Sequence, residues 1–275
     1  MKLTEYTINE LASIQHPCSC GKTHYIGIDH IAIGKGAVEK LPEFLADQKL
    51  HDGSKLTTSD KILIVADVNT WKAAGNKVFD MVEKAGYPVE SYVYPYEKMH
   101  TEESHIKELE DVFPEGIRLM IAVGSGTMND ITRYISFRKD MPYYIVGTAP
   151  SMDGYASDVS PVIIDNLKRS LPAHCASGII GDTDILATAP EKMIAAGVGD
   201  IMAKFLDIND WKMSHILNGE EYCEEVAALM LYSAEKTVRN IEGLKNRDSQ
   251  ALQDLMEALV LIGIAMAFVN SSRPG

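Results

Sequence analysis

Short apolar runs alternate with amphipathic stretches from Lys61 onward, and this alternation limits the fold more than any other feature. The predicted strands are "KILIVAD", "VESYVY", "RLMIAVG" and "YYIVGT", and the predicted helices between them cover residues 70–86, 102–113 and 128–138. Strands joined by helices of this length need right-handed crossovers, which give a mainly parallel sheet with helices on both faces. The predicted fold class is α/β, of the kind that binds nucleotides.

The second half of the chain changes in character. The stretch "DVSPVIIDNLKRSLPAHCASGIIGDTDIL" contains short extended pieces and predicts an antiparallel excursion that closes a first domain near Ala189. Pro190 suits a first helical turn, because its missing N–H would be unpaired there. Helices are then predicted over residues 190–207, 220–242 and 248–270. The predicted organisation is an α/β domain over residues 1–189 and an all-helical domain over residues 190–275.

Composition excludes several function classes. The 275-residue chain has a formal net charge of −13, which would repel nucleic acids and anionic membranes. Its start, "MKLTEYTINELASIQH", lacks the basic and apolar regions of a signal peptide, so we expect a cytoplasmic protein with reduced cysteines. The most apolar run, residues 255–269, includes Glu257 and is shorter than the roughly 20 residues of a membrane span. It predicts a buried helix.

Three loops follow predicted strands, and in a parallel sheet they open at the carboxyl edge, where ligands gather. They are "ADVNT", "GSGTMND" and "GTAPSMDGYASD". Gly124 and Gly126 would let backbone N–H groups approach a pyrophosphate, which the next helix N-terminus also favours. Thr127 could add a hydroxyl. Asn129 stands where the dinucleotide fingerprint has its third glycine, so a tight strand-to-helix turn is the alternative.

The same loops carry polar side chains with two interpretations each. Asp67 could accept hydrogen bonds from an adenosine ribose, or it could cap the next helix in competition with Asn69 and Thr70. Asp130 lies in the first turn of the predicted helix, where a carboxylate interacts favourably with the helix dipole even without a ligand. The third loop places four polar side chains within ten residues, either for a ligand or in a solvated turn: Thr148, Ser151, Asp153 and Ser157.

Five motifs together resemble a known family. "CSCGKTH", "GSGTMNDITRY", "GTAPSMDGYASD", "DTDIL" and "GVGDIMAK" are similar, in order and spacing, to bacterial sn-glycerol-1-phosphate dehydrogenases of the iron-dependent alcohol dehydrogenase and dehydroquinate synthase superfamily. The resemblance implies a Rossmann-like N-terminal domain that binds NAD(H) or NADP(H). It also implies a dehydroquinate synthase-like helical domain that binds a divalent metal (Zn²⁺, Ni²⁺ or Fe²⁺), with a substrate cleft between the two domains.

The resemblance also implies roles for individual residues. The pyrophosphate would contact Gly124, Ser125, Gly126, Thr127, Asn129 and Asp130. The nicotinamide side would be lined by Thr148, Ser151 and Ser157, and the adenosine side by Asp67. Asp153 would contact the substrate, and Asp200 would bind both metal and substrate. Lys204, one helical turn after Asp200, would neutralise a substrate phosphate, with a surface lysine as the alternative.

The implied reaction is reversible hydride transfer between the nicotinamide and C2 of dihydroxyacetone phosphate, with a metal that polarises the ketone. A glycerol or other polyol dehydrogenase is one alternative, and a truncated NAD(H)-binding protein without catalysis is another. A dehydroquinate synthase is less favoured, because only Lys204 and Lys212 follow Asp200 as basic groups. The apolar last helix has no evident partner, which indicates contact with either missing residues or another subunit. A homo-oligomer, such as a homodimer, is expected.

The metal site lacks ligands in this sequence. One carboxylate does not hold a catalytic transition metal, and the family supplies two histidines after a segment like "NSSRPG". The sequence ends at Gly275, and none of the eight histidines lies there. We therefore expect a helical domain that is incomplete at its C-terminus, with a contact between His215 and Asp200 as the alternative.

A second group of metal-type ligands lies near the N-terminus. Cys18, Cys20 and His24 are three soft ligands within seven residues. Structural zinc sites prefer wider cysteine spacing and need a fourth ligand, for which His16 and His30 are candidates. A reduced surface turn is the favoured interpretation. Four further residues are interpreted as ordinary helix or core positions: His100, His105, Cys175 and Cys223.

Overall fold

The computed structural model describes residues 1–269; the predicted helix end at Asn270 and the segment "NSSRPG" lie outside the described residues. The strands are β1 (His16–Pro17), β2 (Thr23–His24), β3 (His30–Gly34), β4 (Lys61–Asp67), β5 (Val89–Tyr94), β6 (Ile117–Gly124), β7 (Tyr143–Gly147), β8 (Val159–Ile164), β9 (Leu167–Pro172) and β10 (Gly178–Asp182). The helices are α1 (Ile8–Ser13), α2 (Leu41–Asp47), α3 (Val68–Thr70), α4 (Asn76–Lys84), α5 (Glu103–Asp111), α6 (Gly126–Arg138), α7 (Thr183–Leu186), α8 (Glu191–Asn218), α9 (Glu224–Arg239), α10 (Ile241–Lys245) and α11 (Ser249–Val269).

The central sheet has six strands in the order β3-β10-β7-β6-β4-β5, and every pairing within it is parallel. The α/β expectation is thus confirmed. The predicted helix over residues 70–86 is a continuous helical stretch, in which a π-helical segment, Trp71–Gly75, joins α3 to α4. The other two crossover helices are α5 and α6, close to their predicted bounds.

One part of the strand prediction is wrong. The hairpin of β8 and β9 is antiparallel, as expected, but β10 does not belong to that excursion. It pairs in parallel with β3 on one side and β7 on the other, inside the main sheet. All five residues of β10 are buried, which is typical of a parallel strand covered on both faces.

The long helix α8 also differs from the prediction. It continues eleven residues beyond the predicted end at Asp207, to Asn218, where Gly219 closes it in the left-handed conformation (φ 70°). Pro190 precedes the first turn as the N-cap residue, with an extended backbone (φ −55°, ψ 137°), instead of lying within that turn. The next helix, α9, begins later and ends earlier than the predicted residues 220–242.

Both faces of the sheet are buried. On one face, Ile64 and Val123 share a core with Leu45 of α2 and Val82 of α4. On the other face, Met120 belongs to a core that α5, α6, α8, α9 and α11 also enter. The helical region is therefore packed on the sheet through a continuous apolar core, and the division between residues 1–189 and 190–275 stays a prediction.

Helix α11 supplies much of that core. The most apolar 18-residue window of this 21-residue helix has a mean hydropathy of 1.9, so by length and composition the helix could cross a membrane, which corrects the expectation that the apolar run is too short. However, 72% of its most apolar window is buried inside the protein, as in a core helix. Its partners include α9 and the 3₁₀ helix Gly154–Ala156. The prediction of a buried helix is therefore confirmed, and the partners that the sequence did not reveal lie within the described residues.

Two glycines let helices approach the loop that follows β7. A Cβ added to Gly197 of α8 would overlap the carbonyl oxygen of Pro150, and one added to Gly263 of α11 would lie 2.7 Å from the carbonyl oxygen of Asp153. Real Cβ atoms do not make contacts this close to backbone. Both helices therefore reach this loop only because glycine has no side chain at the point of contact. Gly197 lies one helical turn before Asp200.

We expect Gly197→Ala to lower the free energy of unfolding by at least about 1–3 kcal/mol, because the new methyl group must displace the Pro150 backbone. Gly199→Ala is the matched control on the same helix, since no atom lies within 4 Å of its added Cβ. That control should be neutral or gain up to about 1 kcal/mol from helix propensity. Urea unfolding of both variants measures the difference, and equal stabilities would contradict the proposed close contact.

Candidate active-site cleft

A cleft of about 1010 Å³ opens where the loops after β6 and β7 meet α8, α11 and the β8–β9 hairpin. The residues that line it are His100, Thr101, Gly126, Thr127, Asp130, Arg133, Met152, Asp153, Gly154, Ser157, Asp158, Val159, Pro161, Ile163, Lys168, Ser170, Asp200 and Met266. Six residues singled out in the sequence are among them: Gly126, Thr127, Asp130, Asp153, Ser157 and Asp200. The structure thus brings loop residues and a residue of the helical region to one cavity.

The two glycines of the β6–α6 turn serve different purposes. A Cβ on Gly124 would lie 2.6 Å from the Met128 side chain, so the turn itself requires glycine there. A Cβ on Gly126 would meet only Met152 Cγ, at an ordinary 3.6 Å. Gly126 therefore leaves open space at the first turn of α6, where N–H groups have no partner within the helix and the helix dipole attracts anions. A pyrophosphate fits this cradle.

Other residues at the start of α6 form hydrogen bonds within the protein. Ser125 precedes α6, and its carbonyl oxygen accepts from the Asn129 N–H at 3.0 Å. The Thr127 hydroxyl donates to the Met99 carbonyl oxygen at 3.5 Å. The Asn129 side chain is fully buried: Nδ2 donates to the Gly154 carbonyl at 3.2 Å, and Oδ1 accepts from a tyrosine hydroxyl. Asn129 holds the neighbouring loop instead of lining the cleft.

The loop after β7 is joined to the glycine turn by its backbone. The Thr148 N–H donates to the Gly124 carbonyl oxygen at 2.9 Å, and the Ser151 N–H donates to Ala149 at 3.0 Å. Neither Thr148 nor Ser151 is among the residues that line the cleft. The Ser157 hydroxyl, which does line it, lies 3.2 Å from both the N–H and the carbonyl oxygen of Val159.

Asp67 caps a helix. Its Oδ1 accepts from the backbone N–H groups of Asn69 at 2.8 Å and Thr70 at 2.9 Å, and the Thr70 hydroxyl accepts from the Asp67 N–H at 3.0 Å. This is the capping alternative of the two interpretations. The Thr70 side chain nevertheless lies beside the glycine turn, since a Cβ on Gly124 would be 3.6 Å from its methyl group. The end of β4 is thus next to the glycine turn.

Asp130 and Arg133 form a buried ion pair beside the cleft, with 2.9 Å between Oδ1 and Nη1. Burial raises the pKa of Asp130 to about 7, against the opposite effect of Arg133 and Lys168. Arg133 has no exposed surface. Arg133 was not among the site residues predicted from the sequence, although an arginine three residues after an aspartate in a helix lies on the same face and indicates a pair.

Arg133 also holds the loop that follows β7. Nη1 donates to the Val159 carbonyl at 2.9 Å, Nη2 donates to the Gly154 carbonyl, and Nε donates to the Tyr143 hydroxyl at 2.8 Å. One side chain therefore connects α6, β7 and both ends of the segment that carries Ser157.

Lys204 lies in a cluster of carboxylates. It is 1% exposed, so the surface-lysine alternative is wrong. Its Nζ lies 2.8 Å from Asp153, 3.5 Å from Asp200 and 3.7 Å from Asp207. Asp200 Oδ2 also accepts from the Asp153 backbone N–H at 2.8 Å. Helix α8 and the loop after β7 are thus joined through two aspartates that face the cleft and a lysine that does not line it.

The charged groups of this cluster shift one another's pKa values. Burial alone would lower the pKa of Lys204, but Asp153, Asp200 and Asp207 outweigh it, so the pKa is raised and the ammonium keeps its proton. Burial raises the pKa of Asp153, with a contribution from Asp200, although Lys204 opposes both. The arrangement stabilises one cation among several carboxylates.

Several lining residues were not found from the sequence. His100 and Thr101 follow β5, whose carboxyl end lies on the same edge of the sheet, so the edge rule for parallel sheets also indicates them. The interpretation of His100 as an ordinary helix or core residue is wrong, because it is exposed, lies outside the helices and lines the cleft. Lys168 and Ser170 come from β9, and Met266 comes from the far end of α11. These positions depend on how the hairpin and the last helix fold back, and no local pattern indicates that.

The cleft does not by itself form a transition-metal site within residues 1–269. Groups of three or more His, Cys, Asp and Glu ligand atoms within 4.8 Å of one another occur among these residues near the N-terminal cysteines, and none includes Asp200. His215 does not complete the site, because it lies 15 residues along α8, roughly 22 Å from Asp200 at 1.5 Å per residue. Its Nδ1 contacts the Glu220 carbonyl instead.

Comparisons with known proteins agree with this architecture. Residues 32–190 match the family described as iron-containing alcohol dehydrogenase. The chain is 32% identical to glycerol-1-phosphate dehydrogenase [NAD(P)+] of Geobacillus stearothermophilus over 97% of this chain and 65% of that protein. It is 32% identical to the enzyme of that name from Pyrococcus horikoshii over 89% of this chain and 67% of that protein. The chain thus spans about two thirds of the length of these relatives.

A solved structure shows the same fold. The crystal structure of glycerol dehydrogenase from Schizosaccharomyces pombe superposes with a TM-score of 0.70 and 19% identity, over 88% of this chain and 61% of that one. At this identity the likeness concerns the fold alone. The parallel sheet followed by a helical region is therefore the architecture of this group of proteins.

We expect Arg133→Met to lower the free energy of unfolding by about 3–5 kcal/mol, because it leaves the Asp130 carboxylate without its buried partner. Arg138→Met is the control on the same helix: its side chain is 50% exposed and pairs with Glu110 at 3.0 Å. Such surface pairs contribute about 0–1 kcal/mol. Chemical denaturation compares the two, and a similar small loss in both would contradict the role assigned to Arg133.

Proposed function

Because this chain belongs to the iron-containing alcohol dehydrogenase family, we propose that it is an NAD(P)-dependent oxidoreductase that interconverts dihydroxyacetone phosphate and sn-glycerol 1-phosphate. The name glycerol-1-phosphate dehydrogenase [NAD(P)+], carried by relatives that cover nearly the whole chain, supports the substrate. The observation that carries the proposal is the single cleft lined both by Gly126 at the α6 N-terminus and by Asp153 and Asp200.

The cofactor is assigned to the α6 end of the cleft. Gly126 and Thr127 line it directly, and the pyrophosphate would accept from the free N–H groups of the first turn. The residues assigned to shape this site without lining the cleft are Gly124, Ser125, Asn129, Thr148 and Ser151. Asp67 would serve the adenosine side from the neighbouring strand end. Bound NAD(P)H supplies the hydride for the reaction.

The substrate is assigned to the Asp153 and Asp200 end. Reduction adds a hydride to the carbonyl carbon and a proton to its oxygen, and the partly buried Asp153 carboxyl, which lines the cleft and has a raised pKa, is suited to exchange that proton. Lys204 holds both aspartates in place and is already paired, so we no longer assign the substrate phosphate to it. Lys168, which lines the cleft on β9, takes that role in the proposal.

The proposal includes a divalent metal, because the chain belongs to the iron-containing alcohol dehydrogenase family, and it assigns Asp200 as a ligand. The described residues of the cleft do not assemble a complete ligand set, so no chemical step is assigned to the metal. Zinc, nickel and iron are all retained as candidates.

Association of two or more chains is also proposed. Five large apolar side chains of α8 are exposed and recur along one stripe of the helix, which supports a contact surface. They are Met202, Leu206, Met213, Ile216 and Leu217. A cytoplasmic location accompanies the proposal, since the formal net charge of −13 suits a small-molecule enzyme without nucleic-acid or membrane partners.

We expect Gly126→Val to weaken NADH binding at least tenfold, because the isopropyl group would occupy the open space at the α6 N-terminus. Its Cβ meets only Met152 within the protein, so the fold should tolerate the change. Gly199→Val controls for a valine in place of a helical glycine at an exposed position. NADH fluorescence titration measures both variants, and an unchanged dissociation constant for Gly126→Val would exclude this turn as the pyrophosphate site.

The function itself is tested by NADH and NADPH oxidation with dihydroxyacetone phosphate, in the presence of Zn²⁺, Ni²⁺ or Fe²⁺. We expect turnover that requires the phosphate and that Asp200→Asn reduces at least a hundredfold while NADH affinity stays within about twofold. Asp207→Asn is the matched control, because Asp207 also contacts Lys204 but does not line the cleft.

Two outcomes would contradict the proposal. Equal rates with unphosphorylated dihydroxyacetone would indicate a polyol dehydrogenase. NADH binding without turnover under any of the metals would indicate a nucleotide-binding protein without catalysis.

A further inference from the structure

Four metal-type ligands converge at a place remote in sequence from the cleft residues. They are Cys18, Cys20, His24 and Cys223, whose ligand atoms all lie within 4.8 Å of one another. The sulfur of Cys223 lies 3.5 Å from the sulfur of Cys18 and 3.4 Å from Nε2 of His24. The sulfur of Cys20 lies 3.5 Å from the same nitrogen. The β1–β2 hairpin supplies three of these ligands, and the residue before α9 supplies the fourth.

We propose that these four side chains bind a structural Zn²⁺ ion. In a tetrahedral site with Zn–S of about 2.3 Å and Zn–N of about 2.0 Å, neighbouring ligand atoms are separated by about 3.5–3.8 Å. The observed separations of 3.4 and 3.5 Å are close to these values. Three cysteines and one histidine are a ligand set of closed structural zinc sites, with no position left for a substrate. The thiols release their protons to solvent when the ion binds.

The orientation of His24 supports this assignment. Its ring is buried, and Nδ1 lies 2.9 Å from the carbonyl oxygen of Phe268, at the end of α11. A carbonyl oxygen only accepts, so Nδ1 carries the proton and donates it. Nε2 then keeps its lone pair and faces the three sulfurs. A histidine fixed by a backbone carbonyl on its other nitrogen is the usual arrangement around zinc.

The fourth ligand was not visible from the sequence. Cys223 lies 199 residues from His24 in the chain. The two candidates named from the sequence do not complete the set: His16 pairs with Glu225 at 3.0 Å, and His30 stacks on Phe44 with 4.5 Å between ring centroids. The proposal therefore replaces the interpretation of this segment as a reduced surface turn.

Two other arrangements of the same atoms are weaker. His16, Cys18 and Glu225 also lie within 4.8 Å of one another, but the Glu225 carboxylate already accepts from His16 and from the Cys18 thiol. A disulfide between Cys18 and Cys223 would require the sulfurs to approach from 3.5 Å to about 2.05 Å. It would also remove two of four converging ligands.

The ion would connect three parts of the chain that are distant in sequence. The β1–β2 hairpin, the start of α9 and the end of α11 all meet at His24 and its partners. Met266, which lines the cleft, lies two residues before Phe268 in α11. The site is thus structural, and its loss is expected to loosen the cleft wall without removing any group that lines it.

Metal analysis of the purified 275-residue chain tests the proposal. We expect about one equivalent of zinc per chain that survives dialysis and remains in Asp200→Asn, which separates this site from the proposed catalytic metal. Zinc that disappears in Asp200→Asn, or protein that holds none after expression and refolding with zinc, would overturn the proposal.

Variants locate the ion. Cys20→Ser is the least disruptive change, because Cys20 is the exposed member of the set, and it should lose most of the zinc and lower the melting temperature. Cys175→Ser is the matched control: Cys175 donates to the Ala156 carbonyl at 3.3 Å and lies outside the cluster. If the single variants Cys20→Ser and Cys223→Ser both retained all of their zinc, the assignment would be overturned.

Thiol labelling of the wild-type chain gives an answer without any substitution. With zinc bound, Cys18, Cys20 and Cys223 should resist alkylation, and a chelator should make all three reactive while leaving Cys175 unchanged. Mass spectrometry of the labelled peptides reads out each cysteine. Labelling of Cys20 at the same rate with and without chelator, or a Cys18–Cys223 disulfide in freshly isolated protein, would contradict a zinc site.

Discussion

The buried guanidinium of Arg133 is the constraint on which the cleft depends. A charge without exposed surface must be paired and hydrogen-bonded, and this one uses Asp130, the Tyr143 hydroxyl and the carbonyls of Gly154 and Val159. Those partners belong to α6, β7 and the loop that carries Asp153 into the cleft. Because one guanidinium bonds to all of these groups, α6 and the loop across the cleft are held in a fixed relative position.

The second constraint is the close approach of two helices to that same loop. Gly197 and Gly263 remove the side chains that would keep α8 and α11 away from backbone carbonyls, and Lys204 then joins Asp153 to Asp200 at the contact. The close packing of the helices and the ion pairs of Lys204 both hold this loop against the helical region. Lys204 of α8 thus positions Asp153 and Asp200, the aspartates proposed to face the substrate, whereas Gly126 is positioned by the turn after β6. The two halves of the proposed reaction rest on separate structural elements.

Local patterns predicted the parts of this protein that depend on local physics. Periodicity located β4–β7 and the helices between them, and the edge rule for parallel sheets brought Gly126 and Asp153 to one cavity. The position of β10 was missed, because an apolar strand of five residues carries no sign of its neighbours. Lys168, Met266 and Cys223 were missed for the same reason: their roles depend on contacts between segments far apart in the chain, which one sequence does not report.

The N-terminal cysteines and the cleft are connected through α11, and this connection explains the composition of that helix. Its middle is apolar because it fills the core between the sheet and α9, and Gly263 lets it touch the loop at Asp153. Its end offers a backbone carbonyl to His24. A helix held at both places cannot slide along its axis, since a shift of one residue would put a side chain where Gly263 now meets backbone. A metal at the cysteine cluster would therefore act on the cleft by fixing the register of α11.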